Sequence, residues 1–248
     1  MHAWLVLYKT TTDSGCDRMA DTIAENLRSV KERVEQATIR SGRDAGACEL
    51  LVVSKTWPAD KVADVVTAGH LHYGENKVQE AEGKIPNLPE HLRWHLIGHL
   101  QRNKARKALS LFDVIHGIDS LKLARYCSNI ATELSLKPDI YLQVNLAAEE
   151  RKAGYSVDQL KSEFEDLLSL SGLNIIGLMC IPPAVSNPED TRPWFSQLRE
   201  LRDTLEQIGG KDLPSLSMGM SGDYEVAIEE GATIVRVGSA IFGKRDYS

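Results

Sequence analysis

The 248-residue sequence has few cysteines and no long hydrophobic run. Its four cysteines lie far apart without a C-x-x-C pair, which excludes a disulfide framework and a zinc pattern and suits a reducing cytoplasm. No stretch approaches the roughly 20 apolar residues of a transmembrane helix, so we expect no membrane association. The apolar start at Ala3–Tyr8 is short and lacks a basic segment, and we do not interpret it as a signal peptide.

An excess of basic residues is also missing. The formal net charge of -6 argues against a general nucleic-acid-binding protein. One basic run, Arg102–Lys107, has two explanations. It is a solvated helix face if Ala105, Ala108 and Leu109 face inward, or a local patch that attracts a second anionic ligand or an apo-enzyme partner. We favour the helix face, because one basic face on an acidic protein rarely suffices for nucleic acid.

No linker, internal repeat or low-complexity tract divides the chain. Hydrophobic residues make up 42% and charged residues 26%, which is typical of a globular protein with a sizeable core. The first clear helix is predicted at Ala20–Arg40, where apolar residues recur at helical spacing and Ser41-Gly42 supplies a stop. We therefore predict one domain over residues 19–248, preceded by a disordered extension of residues 1–18.

Strand-like apolar runs then alternate with amphipathic helices, for example Lys61–Thr67, Val157–Leu170 and Arg192–Ile208. Eight runs have the composition of buried strands: Leu50–Lys55, His72–Asn76, Trp94–Gly98, Val114–Ile118, Ile140–Leu146, Ile175–Ile181, Leu216–Met220 and Ile234–Val237. Apolar strands separated by helices are typical of a parallel sheet covered on its outside. Eight of them predict an α/β fold with a single closed (β/α)8 TIM barrel, and an open doubly wound sheet is the alternative.

Lys55 stands at the end of the first predicted strand. An ammonium group is costly to bury without a partner, so a lysine at the edge of a core often has a chemical role. A dry pocket lowers a lysine pKa and so promotes condensation with an aldehyde as a Schiff base. The alternative is that the amine only reaches solvent at a strand end.

Two glycine- and serine-rich turns follow the seventh and eighth predicted strands, at Ser217–Asp223 and Gly238–Ala240. Glycine lets the backbone approach a ligand closely, serine offers a hydroxyl, and barrels favour phosphate sites at these two loops. Tight turns between strands and helices are the alternative explanation of the same glycines. Because two neighbouring loops agree, we favour an anion cradle.

A Schiff-base lysine and a phosphate cradle at one barrel mouth fit a small molecule with an aldehyde and a phosphate. Pyridoxal 5'-phosphate is the leading candidate, and a sugar phosphate in a class I aldolase is the competitor. Arg236 favours pyridoxal 5'-phosphate. A fixed cation facing the pyridine nitrogen would keep that nitrogen unprotonated and weaken the ring as an electron sink. A phosphate counter-charge or a rim salt bridge explains Arg236 equally well. For an aldolase, Glu75 is the nearby candidate acid, although a salt bridge or a helix cap is its better explanation.

The histidine spacing does not indicate a metal site. His95 and His99 are four residues apart, but on a strand this separates them beyond the reach of a shared ion. We interpret His95 as a structural or pocket-lining residue, and we see no signal in His70 or His72.

Six motifs, in order from about Met19 to Tyr247, resemble the signatures of the pyridoxal phosphate homeostasis protein family. They are Leu51–Thr56, Tyr73–Glu80, Trp94–Lys104, Gly177–Met179, Leu216–Ser221 and Val235–Gly243. The departures are small: Ser239 stands where threonine is common, and Cys180 where threonine or alanine is frequent.

The resemblance implies a barrel like the N-terminal domain of alanine racemase, a fold-type III barrel without the extra β domain. It implies that pyridoxal 5'-phosphate is bound as an imine on Lys55, with Arg236 at the ring nitrogen. The implied cofactor-binding residues are Lys55, Asn76, Ser217, Met218, Arg236, Gly238 and Ser239.

The family resemblance also implies a cytoplasmic carrier or regulator in vitamin B6 homeostasis rather than an enzyme. A racemase-like reaction would need a second acid/base from another domain or subunit, and the sequence ends just after its eighth strand. We therefore expect no catalytic residue, no metal, a monomer, and PLP-dependent apo-enzymes as candidate partners. A weak racemase-like activity and the class I aldolase remain alternatives.

Overall fold

The computed structural model describes residues 14–149 and 152–243, with side chains from residue 22 onward. Within these ranges eight parallel strands close into one barrel in sequence order. They are β1 (Glu49–Val53), β2 (His72–Glu75), β3 (Arg93–Leu96), β4 (Val114–Ile118), β5 (Asp139–Val144), β6 (Asn174–Cys180), β7 (Ser215–Met220) and β8 (Ile234–Val237). Each of the eight predicted strands is confirmed, and their ends move by two residues or fewer.

Helices cover the outside of the barrel. They are α1 (Ser14–Arg40), α2 (Ala59–Thr67), α3 (Val78–Lys84), α4 (Ala105–Leu111), α5 (Leu121–Glu133), α6 (Val157–Leu168), α7 (Arg192–Gly209), α8 (Tyr224–Glu229) and α9 (Ser239–Phe242). None of the described helices is both long and apolar enough to cross a bilayer. The boundary predicted at residue 19 falls inside α1, and residues 1–13 of the predicted extension lie outside the described residues.

Pairing of β1 with β8 closes the sheet. Leu50 is in register with Val235, and Val52 with Val237, so the first strand hydrogen-bonds to the last. An open doubly wound sheet would leave these two strands as edges. The closed pairing confirms the TIM barrel and brings the loops after β1, β7 and β8 to one mouth.

The core has two parts, because successive strand residues point to opposite faces of the sheet. One set of side chains packs between the strands and the helices, where it forms the larger apolar cluster. The other set fills the barrel and includes Leu51, Val53, Tyr141, Met179 and Ile234. Buried polar residues also lie inside the barrel, where His95, His116 and Ser217 form a hydrogen-bonded chain that reaches Arg236.

Candidate functional site

A cavity of about 300 Å³ opens at the carboxyl ends of the strands. We call it the mouth cavity. It is lined by Val53, Lys55, Asn76, Ile97, Ile181, Met220, Ser221, Gly222, Arg236, Gly238 and Ser239. Its size is at the lower end of the range for small-ligand sites. Residues from six of the eight strands or their following loops therefore converge on one concave site.

The backbone on both sides of Lys55 is held by a buried ionic network. Nζ of Lys84 donates to the carbonyl of Ser54 at 2.8 Å, to Oε1 of Glu75 at 2.6 Å and to Oε1 of Glu80 at 3.0 Å. The same oxygen of Glu80 accepts a hydrogen bond from the backbone N–H of Thr56. The residues directly before and after Lys55 are therefore both tied to this network, which positions the half-buried Lys55 at the cavity.

Thr56 adopts a left-handed backbone conformation, with φ of 70°. A β-branched residue is rarely found there, at a typical cost of about 1–3 kcal/mol. The hydrogen bond from its N–H to Glu80 helps to hold this backbone conformation directly after Lys55.

The Glu75 carboxylate is part of the network and not of the mouth cavity. Its side chain is fully buried, and Oε1 also accepts from the hydroxyl of Ser54 at 2.6 Å. Burial raises the pKa of Glu75, while the hydrogen bonds from Lys84 and Ser54 oppose the rise. The salt bridge expected for Glu75 is confirmed, and its carboxylate does not line the mouth cavity where the proton shuttle of an aldolase would act.

Asn76 reaches the cavity because Gly98 leaves room for it. A Cβ on Gly98 would lie 2.1 Å from the backbone oxygen of Asn76 and 2.8 Å from its Oδ1. Any larger side chain would displace the asparagine. Gly98 follows β3 and Asn76 follows β2, so the glycine sets the close approach of two neighbouring loops.

The loops after β7 and β8 are joined by a hydrogen bond. The backbone N–H of Gly238 donates to Oγ of Ser221 at 3.2 Å. The carboxylate of Asp223 closes the first loop, since its Oδ1 accepts from the N–H of Met220 at 2.6 Å. With Gly222 and Ser239 exposed on these two loops, the cavity has a hydroxyl-bearing edge at which the backbone can approach an anion closely.

Arg236 projects from β8 into the floor of the cavity, with 4% of the residue exposed. Its Nη1 donates to Oγ of Ser217 at 2.7 Å, and its Nη2 donates to the carbonyl of Cys180 at 2.9 Å. Burial lowers the pKa of the guanidinium, and an arginine nonetheless stays charged at neutral pH. No carboxylate forms a salt bridge with Arg236 within the described residues, so the rim salt bridge is not its role.

A chain of hydrogen bonds leads from Arg236 through the barrel interior. Oγ of Ser217 lies 2.9 Å from Nδ1 of His116, and Nε2 of His116 lies 3.0 Å from Nδ1 of His95. Burial lowers the pKa of His95 to about 3 and that of His116 well below its ordinary value. Both rings are therefore neutral at pH 7, and His95 lies in the barrel interior and does not line the mouth cavity.

The seven predicted site residues fall into two groups. Lys55, Asn76, Arg236, Gly238 and Ser239 line the mouth cavity, whereas Ser217 and Met218 are fully buried on β7 and do not line it. Ser217 instead holds Arg236, and its contact with a cofactor stays a prediction. The sequence analysis missed Lys84, because a lysine in a short helix carries no signal that it turns inward.

Two of the four cations in the basic run after β3 form salt bridges within the chain, and a third packs on an aromatic ring. Arg106 pairs with Glu133 and Lys107 with Glu82, while Arg102 stacks over the ring of Tyr126. The inward face of α4 buries Ala105, Ala108 and Leu109. These contacts agree with the solvated helix face predicted for the run.

Comparisons with known proteins agree with these features. The chain matches the family described as alanine racemase, N-terminal domain, over residues 20–246. A protein of Aquifex aeolicus named pyridoxal phosphate homeostasis protein is 44% identical over 224 residues, which cover 90% of this chain and 98% of that one.

Solved structures of PipY from Synechococcus elongatus are 40% identical and cover 89% of this chain and all of theirs. The form without PLP has a TM-score of 0.81, and the form with PLP bound has a TM-score of 0.78. The alanine racemase of Bartonella henselae is 16% identical with a TM-score of 0.68, which shows the shared fold alone.

Proposed function

Because the chain belongs to the pyridoxal phosphate homeostasis protein family, we propose that it binds pyridoxal 5'-phosphate in the mouth cavity and acts in cellular vitamin B6 homeostasis. The observation that carries the proposal is the convergence of Lys55, Arg236 and the two glycine–serine loops on one cavity of suitable size. Each provides a group that this cofactor needs, namely an amine, a fixed cation and an anion cradle.

Lys55 is the residue that we propose to hold the cofactor covalently, as a Schiff base formed with loss of one water. The network of Lys84, Glu75 and Glu80 supports this role, because it fixes the backbone on both sides of Lys55. Asn76 lies beside it and offers an amide to a ring substituent. When bound, the cofactor supplies an electron sink for chemistry on amino acids.

Arg236 is proposed to face the pyridine nitrogen, and Ser221, Gly238 and Ser239 are proposed to surround the phosphate. A buried guanidinium disfavours a second positive charge next to it, so it keeps the ring nitrogen unprotonated. Ser217 acts through Arg236 by accepting one of its hydrogen bonds. This arrangement weakens the electron sink and suits a carrier.

The proposed lack of robust turnover has support in the lining of the cavity. Among the described residues that line it, the ionisable ones are Lys55 and Arg236, and both are basic. Racemisation by two bases needs a second acid/base on the opposite face of the cofactor, and an aldolase needs an acid near the lysine. The described lining offers neither group.

We further propose a monomer in a reducing cytoplasm that passes the cofactor to PLP-dependent apo-enzymes. The three described cysteines, Cys48, Cys127 and Cys180, are buried and unpaired, which suits such a compartment. The open cavity edge at Gly222 and Ser239 suits release of a ligand to a partner.

The test is the visible absorption spectrum of the purified protein before and after borohydride reduction. We expect a yellow band that reduction traps on Lys55, identified by peptide mass, and that Lys55→Ala abolishes. Lys77→Ala is the matched control. Lys77 is exposed, lies two residues after the end of β2 and does not line the cavity. A protein that stays colourless after incubation with the cofactor would contradict the assignment.

The carrier role is tested separately on the yellow protein. Racemase, decarboxylase and transaminase assays should give rates no higher than those of the free cofactor. Rates far above that background would show an enzyme and overturn the carrier proposal, while leaving the cofactor assignment intact.

A further inference from the structure

Three potential metal-binding side chains meet at the end of the barrel opposite the mouth cavity. Glu49 and His72 are the first residues of β1 and β2, and His95 is the third residue of β3. Each offers one ligand atom, and these atoms lie within 4.8 Å of one another. The sequence does not reveal this group, because its members come from three strands and meet only when the strands pair.

The buried member of the group lacks a partner. His95 is 4% exposed, and its Nε2 makes no hydrogen bond with the described residues. A buried polar nitrogen without a partner costs about 1–3 kcal/mol, so such atoms usually have a ligand or a water. The other ring nitrogen, Nδ1, points the opposite way, toward His116. Nε2 is therefore the nitrogen available to a ligand beside Glu49 and His72.

The two outer members are already close together. Nδ1 of His72 lies 2.5 Å from Oε1 of Glu49, yet this nitrogen makes no hydrogen bond of suitable geometry. The side chains are 24% and 43% exposed, so both have room to rotate. Ligand atoms in a tetrahedral zinc site are about 3.3 Å apart, given bonds of about 2.0–2.1 Å. Small rotations of Glu49 and His72 would bring the three atoms to that spacing.

We propose that Glu49, His72 and His95 form a site for a divalent transition-metal ion, with Zn²⁺ as the best match. Two imidazole nitrogens and one carboxylate oxygen form a known zinc ligand set, which leaves a fourth position for water. The carboxylate also provides the negative charge that a cation needs. Arg93, a cation that acts on His95, is engaged by Asp139 at 3.0 Å.

The hydrogen-bond chain inside the barrel provides the support that a metal-binding histidine needs. With Nε2 of His95 on the ion, its Nδ1 carries the proton and donates to Nε2 of His116. Nδ1 of His116 then carries its own proton and donates to Oγ of Ser217. Such outer partners fix the tautomer and orientation of a ligand histidine. The chain thus fixes the His95 ring in the position that the site requires.

The experiment is a Zn²⁺ titration of the tag-free full-length protein against a chromophoric chelator. We expect one tightly bound ion per chain, with Kd weakened at least about tenfold in Glu49→Gln and in His72→Phe. Both changes lie at the exposed end of the barrel, so the fold should survive. His91→Ala removes an exposed histidine outside the site and should leave Kd unchanged.

Substitution with Co²⁺ identifies the ligands. Visible bands of a four-coordinate nitrogen–oxygen site, absent from both variants, would support the proposal. A thiolate charge-transfer band would instead place the ion on cysteine and overturn it. The proposal also fails if the wild-type protein binds no Zn²⁺, or if Glu49→Gln and His72→Phe bind it as tightly as the wild type.

Discussion

Arg236 and Ser217 connect the last two strands of the barrel through a buried hydrogen bond of 2.7 Å. The same Oγ of Ser217 contacts His116, so one hydroxyl links the cavity floor to the interior histidines. Ser217 does not line the cavity, so we expect it to act on a ligand only through Arg236.

Ser217→Ala should destabilise the protein by about 1–3 kcal/mol, because it leaves a guanidinium N–H without an acceptor in the interior. Urea unfolding measures the change, and cofactor affinity should fall with it as Arg236 loses its orientation. Ser110→Ala is the control, since this exposed hydroxyl contacts only the carbonyl of Arg106 among the described bonds, and it should cost less than about 0.5 kcal/mol. Equal losses in the two variants would contradict the assigned role of Ser217.

Gly98→Ala should weaken cofactor binding with little loss of secondary structure. The new Cβ would meet the backbone oxygen of Asn76 at 2.1 Å, so the loop after β2 must move away from the cavity. A cofactor titration followed by absorbance measures the effect, and we expect Kd to rise about tenfold or more, equal to about 1.4 kcal/mol. Gly83→Ala is the control, because nothing lies within 4 Å of its Cβ position, and its Kd should not change.

Lys84→Met should destabilise the protein by about 3–5 kcal/mol, since it leaves the carboxylate of Glu75 buried without its cation. The double variant Lys84→Met/Glu75→Leu should recover part of this loss, because it removes the unpaired charge. Lys107→Met is the control at an exposed pair with Glu82 and should cost about 1 kcal/mol or less. A Lys84→Met protein as stable as the control would contradict the role of this network.

The Lys84→Met variant should also lose more stability at pH 8 than at pH 5. Burial raises the pKa of Glu75 in the folded state, and Lys84 is the first of the groups that oppose the rise. Without Lys84, the folded protein holds the Glu75 proton more tightly than the unfolded chain does. The variant is then most stable below the ordinary glutamate pKa of about 4.3. Its free energy of unfolding declines as the pH rises from there through the raised pKa of Glu75 in the folded protein. Unfolding curves at both pH values test this, and a larger loss at pH 5 would refute it.

The metal-free wild-type protein should become less stable as pH falls from 7 to 5. Burial lowers the pKa of His70 to about 4 and that of His95 to about 3, whereas both titrate near 6.5 when unfolded. The unfolded chain then binds more protons than the folded protein. The contribution of these histidines to the free energy of unfolding is therefore complete above pH 6.5 and is lost progressively below it. Below pH 6.5 each histidine lowers the free energy of unfolding by about 1.4 kcal/mol per pH unit, and His70→Gln should remove one such contribution. His91→Gln, at an exposed position, should leave the pH profile unchanged.

The sequence by itself determined the barrel and the position of the mouth cavity. Eight apolar runs separated by helices permit few parallel architectures, and the carboxyl ends of parallel strands share one face. Lys55 and the loops at Ser221 and Gly238 could be assigned to one site for that reason. Their proposed roles follow from the residue types that come directly after each strand, namely a lysine after β1 and glycines and serines after β7 and β8.

Only the tertiary structure decided which interior side chains meet. Spacing along the chain gave His95 no partner, since His99 is out of its reach on a strand, whereas the barrel places His95 between His72 and His116 from neighbouring strands. Lys84 likewise finds Glu75 only because α3 packs back against the end of β2. Periodicity reveals which face a residue occupies, whereas its partners depend on strand register and on closure between β1 and β8, which are set by the packing of the whole chain.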